Sequence, residues 1–381
     1  MTTRIAMVAG EASGDLLASH LIRALRERVP DAEFYGIGGP NMEREGFRAL
    51  WSCERLAVHG YVDALKRYRE LSGMRKALLE RIRADRPDAF IGVDAPDFNL
   101  WLERRVREAG MPAIHFVSPS IWAWRRGRIA DIAAAVSHML CLFPFETPLY
   151  EEAGIAASYV GHPLADVLPL EPDRAAARER LQLPADATIV AMLPGSRESE
   201  VRNLAPTYLA TARLLAERHP GIAFVVPLAT RETRRLFEAA MQEQGDDRLP
   251  LRILFGHAVD AMTAADVVLV ASGTASLEAA LLKRPMVISY RIGKWQYRLM
   301  KRMAYLPWVG LPNILCNETV VPELLQDEAR PQALVGAIEH WLADADARAA
   351  LARRFTALHL SLRQNTSQKA ADAILPYLAR A

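Results

Sequence analysis

Ile5-Ala6-Met7-Val8-Ala9-Gly10-Glu11-Ala12-Ser13-Gly14-Asp15 decides how the chain folds. A short apolar run reads as a buried strand, from Ile5 to Gly10. Gly10 and Gly14 permit a tight turn. Leu17, Leu21, Leu25 and Val29 then recur every four residues on one face of a helix. The same grammar continues along the chain. Strands are predicted at 34–37, 89–93, 113–117 and 139–143, with helices at 65–84 and 98–109 between them. Alternating strands and helices bounded by Gly and Pro give βαβ units, a parallel sheet and right-handed crossovers.

The alternation stops at residues 162–172, where Pro163, Pro169 and Pro172 mark a linker. It restarts with strands predicted at 188–193, 223–227, 251–255, 267–270 and 285–290. The 381 residues exceed one ordinary core. The expected organisation is α/β: one Rossmann-like domain at 1–165, a second at 166–345, and C-terminal helices at 346–381. Two such domains in tandem make a cleft, and ligands of these sheets sit beyond the strands' carboxyl ends. Function is therefore sought in loops that follow strands.

Bulk composition narrows the function. The formal net charge is +2, without the basic excess of a non-specific nucleic-acid binder. Cys53, Cys141 and Cys316 are scattered, with no CxxC pair and no zinc spacing, as expected of a chain in a reducing cytosol. The N-terminus lacks a signal-peptide pattern, and no apolar run approaches the ~20 residues of a membrane span. A soluble or surface-bound cytoplasmic protein is expected.

Four loops carry candidate chemistry. Gly10 to Asp15 opens a helix at which Ser13 or Asp15 can act as a cap, and where an anion or a hydroxyl-rich ligand can dock. Asp94-Ala95-Pro96-Asp97-Phe98-Asn99 places two carboxylates at a strand end; Asp97 reads either as the cap of the next helix or as a general base. Leu193-Pro194-Gly195-Ser196-Arg197 offers backbone donors and a forked cation suited to phosphate. Ser272-Gly273-Thr274-Ala275-Ser276-Leu277-Glu278 opens a helix with small residues, and Glu278 can accept from ribose hydroxyls. Asn313, on the turn Gly310-Leu311-Pro312-Asn313, is a fifth and weaker candidate.

Together with Ser118-Pro119-Ser120-Ile121-Trp122-Ala123-Trp124-Arg125, these segments resemble the lipid-A-disaccharide synthase family, inverting glycosyltransferases of GT-B fold. The resemblance runs through nearly the whole chain, and the tryptophan motif is its most specific part. It implies two Rossmann-like domains facing a cleft, with C-terminal helices returning to the first. It implies transfer of a sugar from UDP-2,3-diacylglucosamine to the 6-hydroxyl of 2,3-diacylglucosamine 1-phosphate (lipid X), giving UDP and a lipid A disaccharide precursor. Carried onto this chain, it makes Asp97 the base, with Asp94 and Glu11 as alternatives. It puts Gly195, Ser196, Arg197, Ser272, Gly273, Thr274, Glu278 and Asn313 at the UDP-sugar, and Glu11, Ser13 and Asn99 near the acceptor. No metal or other cofactor is expected, because the chain lacks an Asp-x-Asp pair after a suitable strand. The rival readings are a UDP-N-acetylglucosamine 2-epimerase, a lipid-linked muramyl transferase and a catalytically silent UDP-sugar-binding module.

Acylated substrates imply access to the inner membrane. Two basic stretches offer it. In 61–86, Leu71, Met74, Leu78 and Ile82 follow helical spacing among Arg67, Arg75, Lys76 and Arg83. In 289–308, Lys294, Trp295, Arg298, Lys301 and Arg302 carry basic and aromatic character with no acid. Oligomeric state is left open by the sequence.

Overall fold

The computed structural model describes residues 2–56, 61–246 and 248–378, and of 61–68, 294 and 299 the backbone alone. The chain forms two compact units, one of Met1–Asp166 with Leu362–Ala381 and one of Val167–Ser361.

The first unit holds a parallel sheet with the order β3-β2-β1-β4-β5-β6-β7. Its strands are β1 (Arg4–Ala9), β2 (Glu33–Gly38), β3 (Arg48–Ser52), β4 (Ala89–Val93), β5 (Ala113–Phe116), β6 (His138–Cys141) and β7 (Ala157–Tyr159). β1 is central, with Ile5 opposite Phe34 on one side and Ala89 on the other. Its side chains alternate between faces, so both faces must be apolar. Ile5, Met7 and Ala9 pack with Leu17, Leu21 and Leu25 of the helix Glu11–Arg28, and with Ala370, Ile374 and Leu378 of the last helix. Ala6 and Val8 pack on the opposite face with Leu78 and Ile82 of the helix Tyr61–Asp85 and Leu102 and Val106 of the helix Pro96–Glu108. Truncating one of these residues, such as Leu21→Ala, costs about 2–5 kcal/mol.

That packing corrects one expectation. Met74, Leu78 and Ile82 are core residues and Leu71 packs against them, so this apolar stripe is not free to meet a membrane. The side chain of Arg67 lies outside the described residues.

The second unit holds a sheet of order β10-β9-β8-β11-β12-β13. Its strands are β8 (Thr188–Leu193), β9 (Ile222–Leu228), β10 (Leu251–Phe255), β11 (Val267–Val270), β12 (Met286–Tyr290) and β13 (Glu323–Leu325). The sequence reading found the central strands and the edge strand β10, and missed the other three sheet edges, β3, β7 and β13. These three are half-buried and short of a long apolar run. The expected linker contains a short helix, Pro163–Val167.

The chain rejoins the first unit at Leu362 rather than at residue 346. The helix Ala345–Leu362 stays with the second unit, where buried His359 meets Lys283 Nζ at 2.6 Å and the Leu281 carbonyl at 3.1 Å. The final helix, Thr366–Leu378, then begins on Asp166, whose carboxylate accepts from the backbone N–H groups of Asn365 and Thr366 at 2.9 and 2.7 Å.

Candidate active site

Two of the loops chosen from sequence meet in the second unit. Gly195, Ser196 and Arg197, after β8, and Ser272, Gly273, Thr274 and Glu278, after β11, line one pocket of about 370 Å³. Neighbouring β8 and β11 bring them together, because both loops leave the sheet at the same edge. The volume falls in the range of small-molecule sites. The helix Thr274–Leu281 opens at Gly273 with no side-chain cap, so its first N–H groups are directed at the pocket with the positive end of the helix dipole. Gly273 has φ of 128°, a conformation that glycine alone adopts without strain. Glu278 sits in the pocket wall, where burial raises its carboxyl above the usual range.

Two expectations for this pocket, the free N–H groups of Ser196 and Arg197 and the place of Asn313, need correction. The Ser196 and Arg197 N–H groups are not open to a ligand, since both donate to Glu200 Oε2, at 3.1 and 3.2 Å. Glu200 is buried against Gly195, where any Cβ would lie 2.5 Å from it, and so holds the turn. The Arg197 guanidinium is the exposed donor there, its side chain 78% exposed and its Nη1 3.5 Å from Glu200 Oε1. The Ser272 hydroxyl is also engaged, donating to the Val309 carbonyl at 2.9 Å. Asn313 does not line the pocket. It is fully buried; its Nδ2 donates to the Val321 carbonyl and Glu323 Oε1, and its Oδ1 accepts from the N–H groups of Val320 and Val321. With its hydrogen bonds spent internally it braces the segment 320–323 rather than closing over a base. Glu200 was legible as the third helical residue after Arg197, the acid position of a capping box.

In the first unit the loops after β1, β4 and β5 form a second cluster. Gly10 and Ala95 are in close apposition, since a Cβ on Gly10 would lie 2.6 Å from that of Ala95. Glu11, Asp94, Ala95, Val117 and Arg125 all have positive φ. Strained backbone of this kind collects where a site demands it. Asp97 lies in the first turn of the helix Pro96–Glu108, which Ala95 rather than Asp97 precedes as the cap residue. Its carboxylate is 86% exposed and pairs with Arg128 at 2.7 Å. Glu11 and Ser13 are exposed at the start of their helix, which likewise has no side-chain cap. Asp15 is buried and serves another helix, Pro40–Arg44, accepting from the N–H groups of Gly39, Asn41 and Met42. Asn99 is fully buried as well. Its Nδ2 donates to the carbonyls of Asp94 at 2.7 Å and Val8 at 3.4 Å, so it fixes the loop from below and does not face a ligand.

The tryptophan motif has an anchor that the sequence did not reveal. Trp122 is buried and donates to Glu146 Oε1 at 3.0 Å, while Glu146 Oε2 accepts from the Phe143 N–H at 2.9 Å. Burial pushes the Glu146 carboxyl up to about 7. Nearby, His162 stacks on Phe143, and burial pushes it down to about 4. Trp124 and Arg125, by contrast, project outward.

On the helix Lys294–Met303, Trp295 is 81% exposed, and Arg298, Lys301 and Arg302 are exposed beside it. The Lys294 side chain lies outside the described residues. Among the described residues no helix is long and apolar enough to cross a membrane. Nor does any group of three or more His, Cys, Asp or Glu among them stand in a metal-holding arrangement.

Two Rossmann-like parallel-sheet units in tandem, the second with a pocket at its strand ends, define the GT-B type architecture. The fold is shared with the UDP-GlcNAc 2-epimerase from Neisseria meningitidis bound to UDP-GlcNAc, at TM-score 0.67 and 10% identity over 98% of this chain and 100% of that one. It is shared also with CalG4, the calicheamicin glycosyltransferase, at TM-score 0.62 and 14% identity over 100% and 99%. At such identities the likeness concerns architecture alone. Within that class the chain belongs to the lipid-A-disaccharide synthetase family, whose model matches residues 5–375. A lipid-A-disaccharide synthase of Aromatoleum aromaticum is 80% identical over 380 residues, which cover 100% of this chain and 97% of the relative.

Proposed function

We propose that this chain transfers the 2,3-diacylglucosaminyl group of UDP-2,3-diacylglucosamine to the 6-hydroxyl of 2,3-diacylglucosamine 1-phosphate. The hydroxyl oxygen attacks the anomeric carbon as its proton passes to Asp97. The bond from that carbon to the diphosphate oxygen breaks, and its electron pair leaves with UDP. One displacement turns the α-linked donor into a β-1,6-linked product. Charge growing on the diphosphate is met by Arg197 and by the N–H groups of the helix opening at Gly273. Positive groups of the chain thus do the work a divalent ion does elsewhere, and the reading includes no metal. Glu278 accepts from the ribose.

The observation that carries this reading is the pocket shared by Arg197, Thr274 and Glu278. Family membership supports the choice of reaction over the epimerase. Acylated substrates require contact with a bilayer, and the helix 294–303, with Trp295, Arg298, Lys301 and Arg302, supplies a basic and aromatic face for it. The protein in this reading works at the cytoplasmic side of the inner membrane. The test is UDP release from UDP-2,3-diacylglucosamine with and without lipid X. Release that depends on lipid X is expected; release indifferent to it refutes the transferase reading.

A further inference from the structure

An exposed carboxylate turns freely unless a neighbour holds it, and a base that turns freely spends little time aimed at its proton. Arg128 is the neighbour that holds Asp97. Its Nη2 donates to Asp97 Oδ1 at 2.7 Å. The two side chains are unequally covered, Arg128 being 26% exposed and Asp97 86%. The arginine is therefore the anchored member of the pair, and the acid is the one that reaches outward.

Packing of two helices sets this contact. Leu100 of the helix Pro96–Glu108 is buried in one cluster with Ile132 and Ala135 of the helix Ile129–Ala135. Asp97 stands three residues before Leu100, and Arg128 four before Ile132. Such spacings put each charged residue on the same side as its apolar neighbour, so the packed leucine and isoleucine aim acid and arginine at each other. Farther along, Arg107 donates to the Ala133 carbonyl and ties the helices at a second point. The Arg128 N–H donates to the Arg125 carbonyl at 3.0 Å, closing the turn Arg126–Arg128, and upstream Trp122 is buried and bonded to Glu146. Other charges stand in these loops. Asp94 is half-buried, Glu11, Asp131 and Arg125 are exposed, and Arg126 has a partner of its own. Direct contact with Asp97, rather than net charge, singles out Arg128.

From this geometry we infer that Arg128 is the positioning residue of the base: it fixes Oδ1 of Asp97 and leaves Oδ2 to receive the proton of the acceptor hydroxyl. This part for Arg128 rests on the reading of Asp97 as the base. A base oriented by a third group is the arrangement that activated nucleophiles require. The pair is weak in open solvent and strengthens when an acceptor seated over it excludes water. The cation also opposes proton uptake by the carboxylate, so orientation has to outweigh that opposition. The sign of the change in kcat decides between the two effects.

The experiment measures lipid X-dependent UDP release by wild type, Arg128→Ala, Arg128→Lys, Asp97→Asn and the variant carrying both Arg128→Ala and Asp97→Asn. Urea denaturation of each reports the folded fraction. Arg128→Ala lowers kcat about tenfold and leaves the KM for lipid X within about twofold of wild type. Arg128→Lys, which keeps a charged donor, recovers part of the loss. In the Asp97→Asn background Arg128→Ala adds nothing further, because the arginine acts only through the carboxylate. A structural role would instead multiply the two losses. Multiplying losses, a kcat at or above wild type, or a raised KM with kcat unchanged each overturns the positioning role while leaving Asp97 as the base. Wild-type turnover by Asp97→Asn overturns the reading of Asp97 itself, and the part given to Arg128 falls with it.

Discussion

Replacing Asp97 by Asn removes a charge and a proton acceptor while keeping the shape of the side chain. The structure sets what else this can disturb. Asp97 is 86% exposed, and its carboxylate pairs with Arg128 at 2.7 Å. An exposed pair of this kind contributes about 0–1 kcal/mol. The acid's position in a helix's first turn adds about 0.3–1 kcal/mol through the helix dipole. Stability should thus fall by no more than about 2 kcal/mol. Proton transfer by a positioned base contributes about 10²- to 10⁴-fold, or roughly 3–5 kcal/mol of barrier. The pocket lined by Arg197 and Glu278 belongs to the other unit, and its affinity for UDP should not change. Lipid X-dependent UDP release at saturating substrate, together with UDP titration and urea denaturation, separates these effects. The expected outcome is a kcat lowered by about 10²-fold or more with UDP affinity and folding nearly intact. A kcat close to wild type refutes the role of Asp97 and moves the base to Asp94 or Glu11, the neighbouring carboxylates. A loss of activity that follows loss of folded protein refutes it equally.

Three further outcomes are expected. Glu278→Gln should weaken UDP binding and also flatten its pH dependence. Burial raises this carboxyl, so wild-type affinity should fall on acidification while Glu278 is still above the usual carboxylate range, and isothermal titration at several pH values checks this. Glu146→Gln should change the pH profile of stability, measured by urea denaturation. With its carboxyl at about 7, the native state keeps a proton that the unfolded state has lost, so Glu146 lowers stability as pH rises from about 4.5 to 7, by about 3 kcal/mol in all. His162, at about 4, acts oppositely between about 4 and 6.5 and offsets it, so the variant alone should gain stability across that window. An unchanged profile refutes the account of Glu146. Lys301→Glu with Arg302→Glu should reduce sedimentation with anionic vesicles, most clearly at low salt; equal sedimentation removes the helix 294–303 as the membrane face.

How much was legible follows from what each residue's role depends on. Central strands such as β1, β8 and β11 are apolar throughout because both faces are covered, and a run of that kind can be read locally. The edge strands β3, β7 and β13 depend on a neighbour for their pairing, and nothing within them declares it. That Arg197 and Glu278 line a pocket was legible for a similar reason, since clefts in such sheets lie beyond the strands' carboxyl ends. Asn99 and Asn313 carry the same residue type in equally suggestive loops, and both turned out to be buried braces.

The alternation of strand and helix, the two-part organisation, the glycine turns and the carboxylate and arginine loops are each written in spacing along one stretch of chain, and so could be read from residue order. Which polar groups face a pocket and which spend themselves inside depends on packing between distant segments. Glu200 takes the N–H groups of Ser196 and Arg197, and Glu146 holds Trp122 from 24 residues away. A hydrogen bond has a partner as well as a donor, and the partner's place is fixed by packing between elements that the local pattern does not contain.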